Sequence, residues 1–216
     1  ICDEDGTPNK SKDPAEGGKN GVLIFKDEPF DFEVKKYTST DNTLITKYET
    51  TFRLYDITDG QNVAVKLNCQ YDIVTSKGFR TLLSTATEPK LTVGHTYRLV
   101  EHIAPAGYIM PTTAPSIEFK FGDDGSIISD ANIVGAVERE ENTIRYTDDP
   151  IKLVLTKKDS GDRSQKEIIL PNVSFTLYDT TVTPKECVGT ATTNAKGEIT
   201  FGGESMLLVI GGHSYE

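Results

Sequence analysis

The sequence predicts an all-β chain built from β-sandwich modules in tandem, and three observations carry that expectation. Short runs alternate apolar and polar residues with the period of a half-buried strand, and turn-forming stretches separate them. No stretch has the 3.6-residue periodicity of a convincing amphipathic helix. The first part of the chain also recurs in its later part, in the same order and at offsets of 118 to 123 residues.

Residues 1–20 are polar, rich in Gly, Pro, Lys and Asp and without periodicity, as in a linker or mobile tail. Val22 to Phe25 is a short apolar run, either an edge strand or the remnant of a preceding module, so residues 1–28 are read as a linker or the end of such a module. Strands are predicted at Phe32 to Tyr37, Thr51 to Tyr55, Gln70 to Thr75, Thr96 to Glu101, Ile117 to Phe121 and Thr143 to Thr147. Turns such as Thr58-Asp59-Gly60, Ser76-Lys77-Gly78 and Asp123-Asp124-Gly125 punctuate them. The segment 61–95 is the least regular, and a short helical turn is expected within it. These strands make residues 29–149 one β-sandwich.

Residues 150–216 repeat its opening. Leu153 to Lys157 matches Phe32 to Lys36, and Phe175 to Asp179 matches Phe52 to Asp56. Lys196-Gly197 matches Lys77-Gly78, and Gly212 to Tyr215 matches Gly94 to Tyr97. The second copy is expected to be truncated before its last strands, because Glu216 falls three residues short of the counterpart of Glu101.

Three predicted strands share an oddity. Alternation aligns Phe32, Val34 and Lys36 on one face, Tyr97, Leu99 and Glu101 on another, and Ile144, Tyr146 and Asp148 on a third. Each apolar row ends in an ionisable group, and burying one without a partner costs several kcal/mol, roughly, or forces it to become neutral. A lysine and two carboxyls facing one core form a buried ion cluster, or they react. Burial favours a neutral, nucleophilic amine and a protonated carboxyl. Amide formation between Lys36 and Asp148, with Glu101 relaying protons, is the chemistry this pattern points to. The plainer readings are a snorkelling lysine, a rim carboxylate and a turn aspartate.

At this point the sequence resembles a known family. A strand ending in Lys, then Phe-x-Leu-Tyr-Asp, then Lys-Gly, then Tyr-x-Leu-x-Glu-x-x-Ala-Pro-x-Gly-Tyr is similar to the collagen-adhesin B-type (Cna B-type, or SpaA-type) domains of Gram-positive surface proteins and pilins. The resemblance covers about residues 30 to 216, and Tyr97, Leu99, Glu101, Ala104, Pro105, Gly107 and Tyr108 all fall in place. It implies tandem Ig-like, transthyretin-like β-sandwiches and an intramolecular isopeptide bond from a first-strand Lys to a last-strand Asn or Asp beside a Glu. The matching positions are Lys36, Glu101 and Asp148, with Asp149 and Asn142 as alternative acceptors and Lys157 as the lysine of the second module.

The implied role is structural: a segment of a cell-wall-anchored surface protein, a pilus shaft subunit or adhesin stalk, stiffened by the bond. Its location is then extracellular, at the cell surface, with anchoring parts outside this chain. Its partners are neighbouring domains or subunits of the same fibre. Two alternatives are a ligand-binding adhesin module recognising a host protein or glycan, and a spacer in an extracellular glycan-degrading enzyme.

Other classes find little support. A net charge of -10 without a basic run argues against nucleic acid, and no apolar run is long enough to span a membrane. Cys2, Cys69 and Cys187 lack the clustering of a disulfide scaffold or zinc site and are read as structural thiols. His95 and His213 occupy one repeat position and read as turn features, and His102 reads as a solvated strand residue. The Asp-rich turns at 56–60 and 159–162 lack calcium-loop spacing, so no metal or cofactor is expected. There is no nucleophile elbow, His-Glu-x-x-His or phosphate loop, so any bond formation is a single turnover rather than enzymatic. The chain reads as an excerpt of a longer polypeptide.

Overall fold

A computed structural model describes residues 31–66, 70–83, 91–159, 168–203 and 209–216. The chain is all-β, with no helix among the described residues. Its first part contains β1 (Asp31–Thr38), β2 (Thr51–Asp56), β3 (Val63–Ala64), β4 (Asp72–Val74) and β5 (Phe79–Leu83). There follow β6 (Thr96–Ile103), β7 (Ser116–Phe121), β8 (Ile127–Val134), β9 (Val137–Glu140) and β10 (Thr143–Asp148).

One sheet runs β5-β1-β10-β9 and the other β3-β2-β6-β7-β8, with β4 also paired to β2. The alternation in the sequence sets their inner faces. Phe32, Val34, Leu82, Ile144 and Tyr146 of the first sheet and Phe52, Leu54, Leu99 and Ile117 of the second belong to one buried cluster. Burying each such side chain contributes about 1.5–3 kcal/mol. Phe32, Phe119, Phe121 and Tyr97 add an aromatic group with ring centroids 5.2 to 6.1 Å apart.

β1 and β10 pair in parallel, whereas the other pairings described are antiparallel. A parallel neighbour needs a long crossover, and here nearly the whole unit lies between the two strands. Its first and last strands therefore sit side by side.

The predicted strands are present with shifted ends, and four more accompany them. The segment 61–95 holds β3, β4 and β5 where a helical turn was expected, while residues 67–69 and 84–90 lie outside the described set. The Lys77-Gly78 pair makes the turn into β5 with φ of 54° and 85°, the double positive φ of a two-residue hairpin loop. β8 escapes sequence pattern because six consecutive residues, Ile128 to Ile133, are exposed and leave no buried period. The Val22 to Phe25 run, Cys2 and Cys69 lie outside the described residues, and Cys187 is a free, exposed thiol.

In the later part, β11 (Lys152–Thr156) pairs with β14 (Glu198–Gly202), and β12 (Ser174–Asp179) pairs with β13 (Glu186–Thr192). Leu177, Ile199, Phe201 and Val209 form a second, separate cluster. Leu153 aligns with Phe32 in the repeat, yet it is exposed where Phe32 is buried. The physical reason is pairing: β1 is flanked by both β5 and β10, whereas β11 is paired with β14 alone among the described strands.

The repeat is otherwise close in detail. Asp56 accepts hydrogen bonds from the Thr58 amide and hydroxyl and faces His95 Nδ1 at 2.7 Å. Asp179 likewise accepts from the Thr181 amide and faces His213 Nδ1 at 2.6 Å. Each histidine stacks on the tyrosine two residues later, Tyr97 or Tyr215, whose hydroxyl accepts the amide of Thr92 or Ile210. His95 thus ties the end of β2 to the start of β6, and His213 ties the end of β12 to the segment before Tyr215.

Candidate functional site

The three ionisable row ends meet. Lys36 Nζ lies 2.7 Å from Glu101 Oε1, 2.8 Å from Glu101 Oε2 and 2.5 Å from Asp148 Oδ1. Their side chains are 0%, 0% and 1% exposed, so the lysine does not snorkel to water.

Register explains the convergence. In the parallel β1–β10 pairing Lys36 stands opposite Tyr146 and Thr38 opposite Asp148, which places the aspartate one inward position beyond the lysine. Across the sandwich Glu101 stands opposite Phe52 on β2, and its amide is held by Pro115 O at 2.9 Å. Tyr146 forms the apolar floor. Its ring centroid is 5.6 Å from Lys36 Nζ and 4.7 Å from that of Phe52, and its hydroxyl donates to Leu99 O at 2.7 Å. That bond satisfies the hydroxyl within the backbone and leaves the carboxyls to the lysine.

One cation against two carboxylates in an apolar box leaves an excess negative charge, and the box answers by retaining protons. Burial is the main force lifting the Glu101 carboxyl, to about 7; Lys36 opposes the rise and the negative charge of Asp148 adds to it. Burial likewise raises Asp148, with Lys36 opposing. The Glu101 and Asp148 carboxyls also face each other, so a proton retained on one is shared with the other.

The alternative acceptors are elsewhere. Asp149 accepts from the Ser39 hydroxyl on the outside of the strand pair. Asn142 sits at the far end of β10, where its side chain bonds Asp31 O, Gly125 O and the Ile127 amide. Lys157 lies just past β11 and is exposed. Sequence reasoning assigned no role to Thr38 or Tyr108, although Thr38 continues the Phe32-Val34-Lys36 row. Tyr108 is half-buried, and its hydroxyl comes near Thr38 and the Asp148 carboxyl.

No family model matches the chain, and comparison with curated proteins finds no match. Among solved structures the chain is similar to the pilus adhesin RrgA from Streptococcus pneumoniae, at 23% identity and TM-score 0.44 over 57% of this chain and 15% of that one. It is similar to a C-terminal fragment of the pilus adhesin SpaC from Lactobacillus rhamnosus GG, at 16% identity and TM-score 0.40 over 87% and 73%. It is similar also to a mutant of the major pilin from Streptococcus pyogenes, at 16% identity and TM-score 0.30 over 88% and 77%. The chain spans well under a fifth of the pneumococcal adhesin's length.

Proposed function

We propose that this chain is a load-bearing segment of a Gram-positive surface fibre, a pilus shaft or adhesin stalk, and that residues 29–149 close on themselves through a Lys36–Asp148 isopeptide bond. The observation that carries this reading is the buried triad, with Lys36 Nζ 2.5 Å from an Asp148 carboxyl and in contact with both oxygens of Glu101. An ordinary ion pair gains little from such burial. A reaction needs it.

The step balances as a condensation. The Lys36 ammonium passes one proton to a neighbouring carboxylate, and the freed amine attacks Asp148 Cγ. Protonated Glu101 hydrogen-bonds the carbonyl oxygen as negative charge develops there, then accepts the second amine proton and delivers its own to the departing hydroxyl. One C–N bond forms, one C–O bond breaks, one water leaves, and Glu101 ends as it began. The reaction occurs once per molecule.

Lys157 occupies the same repeat position as Lys36. It would serve residues 150–216 in the same way once a strand bearing an acceptor lies beside β11. A second reading, a ligand-binding adhesin module, draws on Tyr71 and Phe79, which are 46% and 41% exposed within the irregular segment 61–95.

The deciding experiment is the intact mass of the chain beside its Lys36→Ala and Glu101→Ala variants, with fragment sequencing to locate the bond. The expected result is a wild-type mass one water below that calculated, restored in both variants. A folded wild-type protein at its calculated mass would refute the cross-link.

A further inference from the structure

Asp148 is the last residue of β10, where the chain leaves the sheet, yet its side chain is 1% exposed. A strand end is ordinarily wet, and the element strapped beside this one is the turn that follows β6. Tyr108 N bonds Pro105 O at 3.1 Å, and Gly107 adopts a φ of 86° that keeps the turn tight. Ile109 N then bonds Asp149 O at 2.9 Å, and Ile151 N bonds Gly107 O at 2.8 Å. The turn is thereby strapped across residues 149–151, immediately beside the acceptor.

Tyr108 itself bridges Pro150 and comes near Thr38, the residue opposite Asp148 in the β1–β10 register. Tyr108 thus stands at the Asp148 end of the triad, and the Tyr146 ring stands at its Lys36 end.

We propose that Tyr108, held by the strap, is a positioning residue that closes the Asp148 end of the triad and keeps water from the Asp148 carboxyl until the amide has formed. The inference rests on the cross-linking reading. Tyr108 touches neither the amine nor the carbon it attacks, and it acts through Asp148. The ionisable groups around Asp148 are Lys36 on β1, Glu101 on β6, Asp149 beside it and Tyr108 itself. Opening the lid lets water solvate the carboxylate, which lowers the protonated fraction the condensation requires. The ring supplies the cover, so phenylalanine should largely replace tyrosine.

Two measurements separate failure of this proposal from failure of the reading beneath it. The first uses the full chain carrying Lys36→Met, which cannot condense, and follows the Asp148 carboxyl by NMR titration. Adding Tyr108→Ala should move its midpoint down by about one unit or more, and adding Tyr108→Phe should not. An unchanged midpoint overturns the lid whatever the wild type does. The second follows water loss by mass during refolding of the otherwise wild-type chain. Tyr108→Ala should slow it about tenfold or more, and Tyr108→Phe should stay within about threefold of wild type. Equal rates overturn the proposal, and Tyr108→Leu replaces the alanine variant if that one does not fold. A wild-type chain that never loses water overturns the cross-link and, with it, any part for Tyr108 in forming it.

Discussion

Pulling on the two ends of the chain tests the proposed bond through its geometry. Because β1 and β10 are parallel neighbours, tension enters at Asp31 and leaves at Asp148, at opposite ends of the pair. Without a bond, the load must be resisted by the β1–β10 and β1–β5 ladders, and their failure releases the whole unit. With a Lys36–Asp148 amide the path runs from residue 31 to residue 36, crosses the bond and leaves. Residues 37–147, about 110 in number, then lie outside the load-bearing path. At roughly 3.3–3.6 Å per residue they represent about 360–400 Å of chain. Single-molecule force spectroscopy of the full chain, tethered at its termini, should therefore show a step of that order in Lys36→Ala and none in wild type. Residues 150–216 contribute the same extension to both traces and serve as an internal reference. A wild-type step of the Lys36→Ala length would refute the force path and the bond together.

The remaining expectations concern chemistry and stability. Glu101→Gln keeps the shape of the side chain but cannot relay a proton, so its mass should stay at the calculated value although it folds. Asp148→Asn should form the same amide with loss of ammonia in place of water, whereas Asp149→Ala should still lose water. Mass spectrometry distinguishes these outcomes. Glu101 holds its proton up to about 7, so the protonated fraction falls as pH rises through that value. The rate of water loss during refolding should then decline by about tenfold between pH 7 and 8.5, and a rate that climbs across this range would contradict the relay. Closing a loop of about 110 residues should stabilise the unit by roughly 4–5 kcal/mol, by analogy with disulfides. Calorimetry should accordingly place the midpoint of uncross-linked variants about 10–20 °C below wild type. His95→Ala should cost no more than about 1 kcal/mol in thermal or denaturant unfolding, because its hydrogen bond with Asp56 is partly exposed.

Much of the site was legible in the sequence because strand alternation is a local property. Phe32, Val34 and Lys36 share a face whatever the rest of the molecule does, and so do Leu99 and Glu101. An ionisable residue ending an apolar row is a conflict visible without coordinates. Which side chain meets the lysine was less legible. Asp148 was the first choice, but Asp149 and Asn142 are close in sequence and chemically suitable as well. Pairing across the sheet separates them: Asp148 stands opposite Thr38, Asp149 turns outward to Ser39, and Asn142 lies six residues back, just before β10 begins and about 20 Å away. β8 was missed for the opposite reason, because its residues are exposed and carry no period.

The chain by itself therefore determined which residues point inward and which of them do not belong there, since both follow from a two-residue repeat and the cost of burying charge. Only the tertiary structure decided which carboxyl meets the lysine, that Tyr146 floors the site, and that Tyr108 reaches Thr38 beside it. Those relations join residues separated by 65 to 112 positions along the chain. Strand register and the path of one turn set such distances, and neither is encoded within any single element.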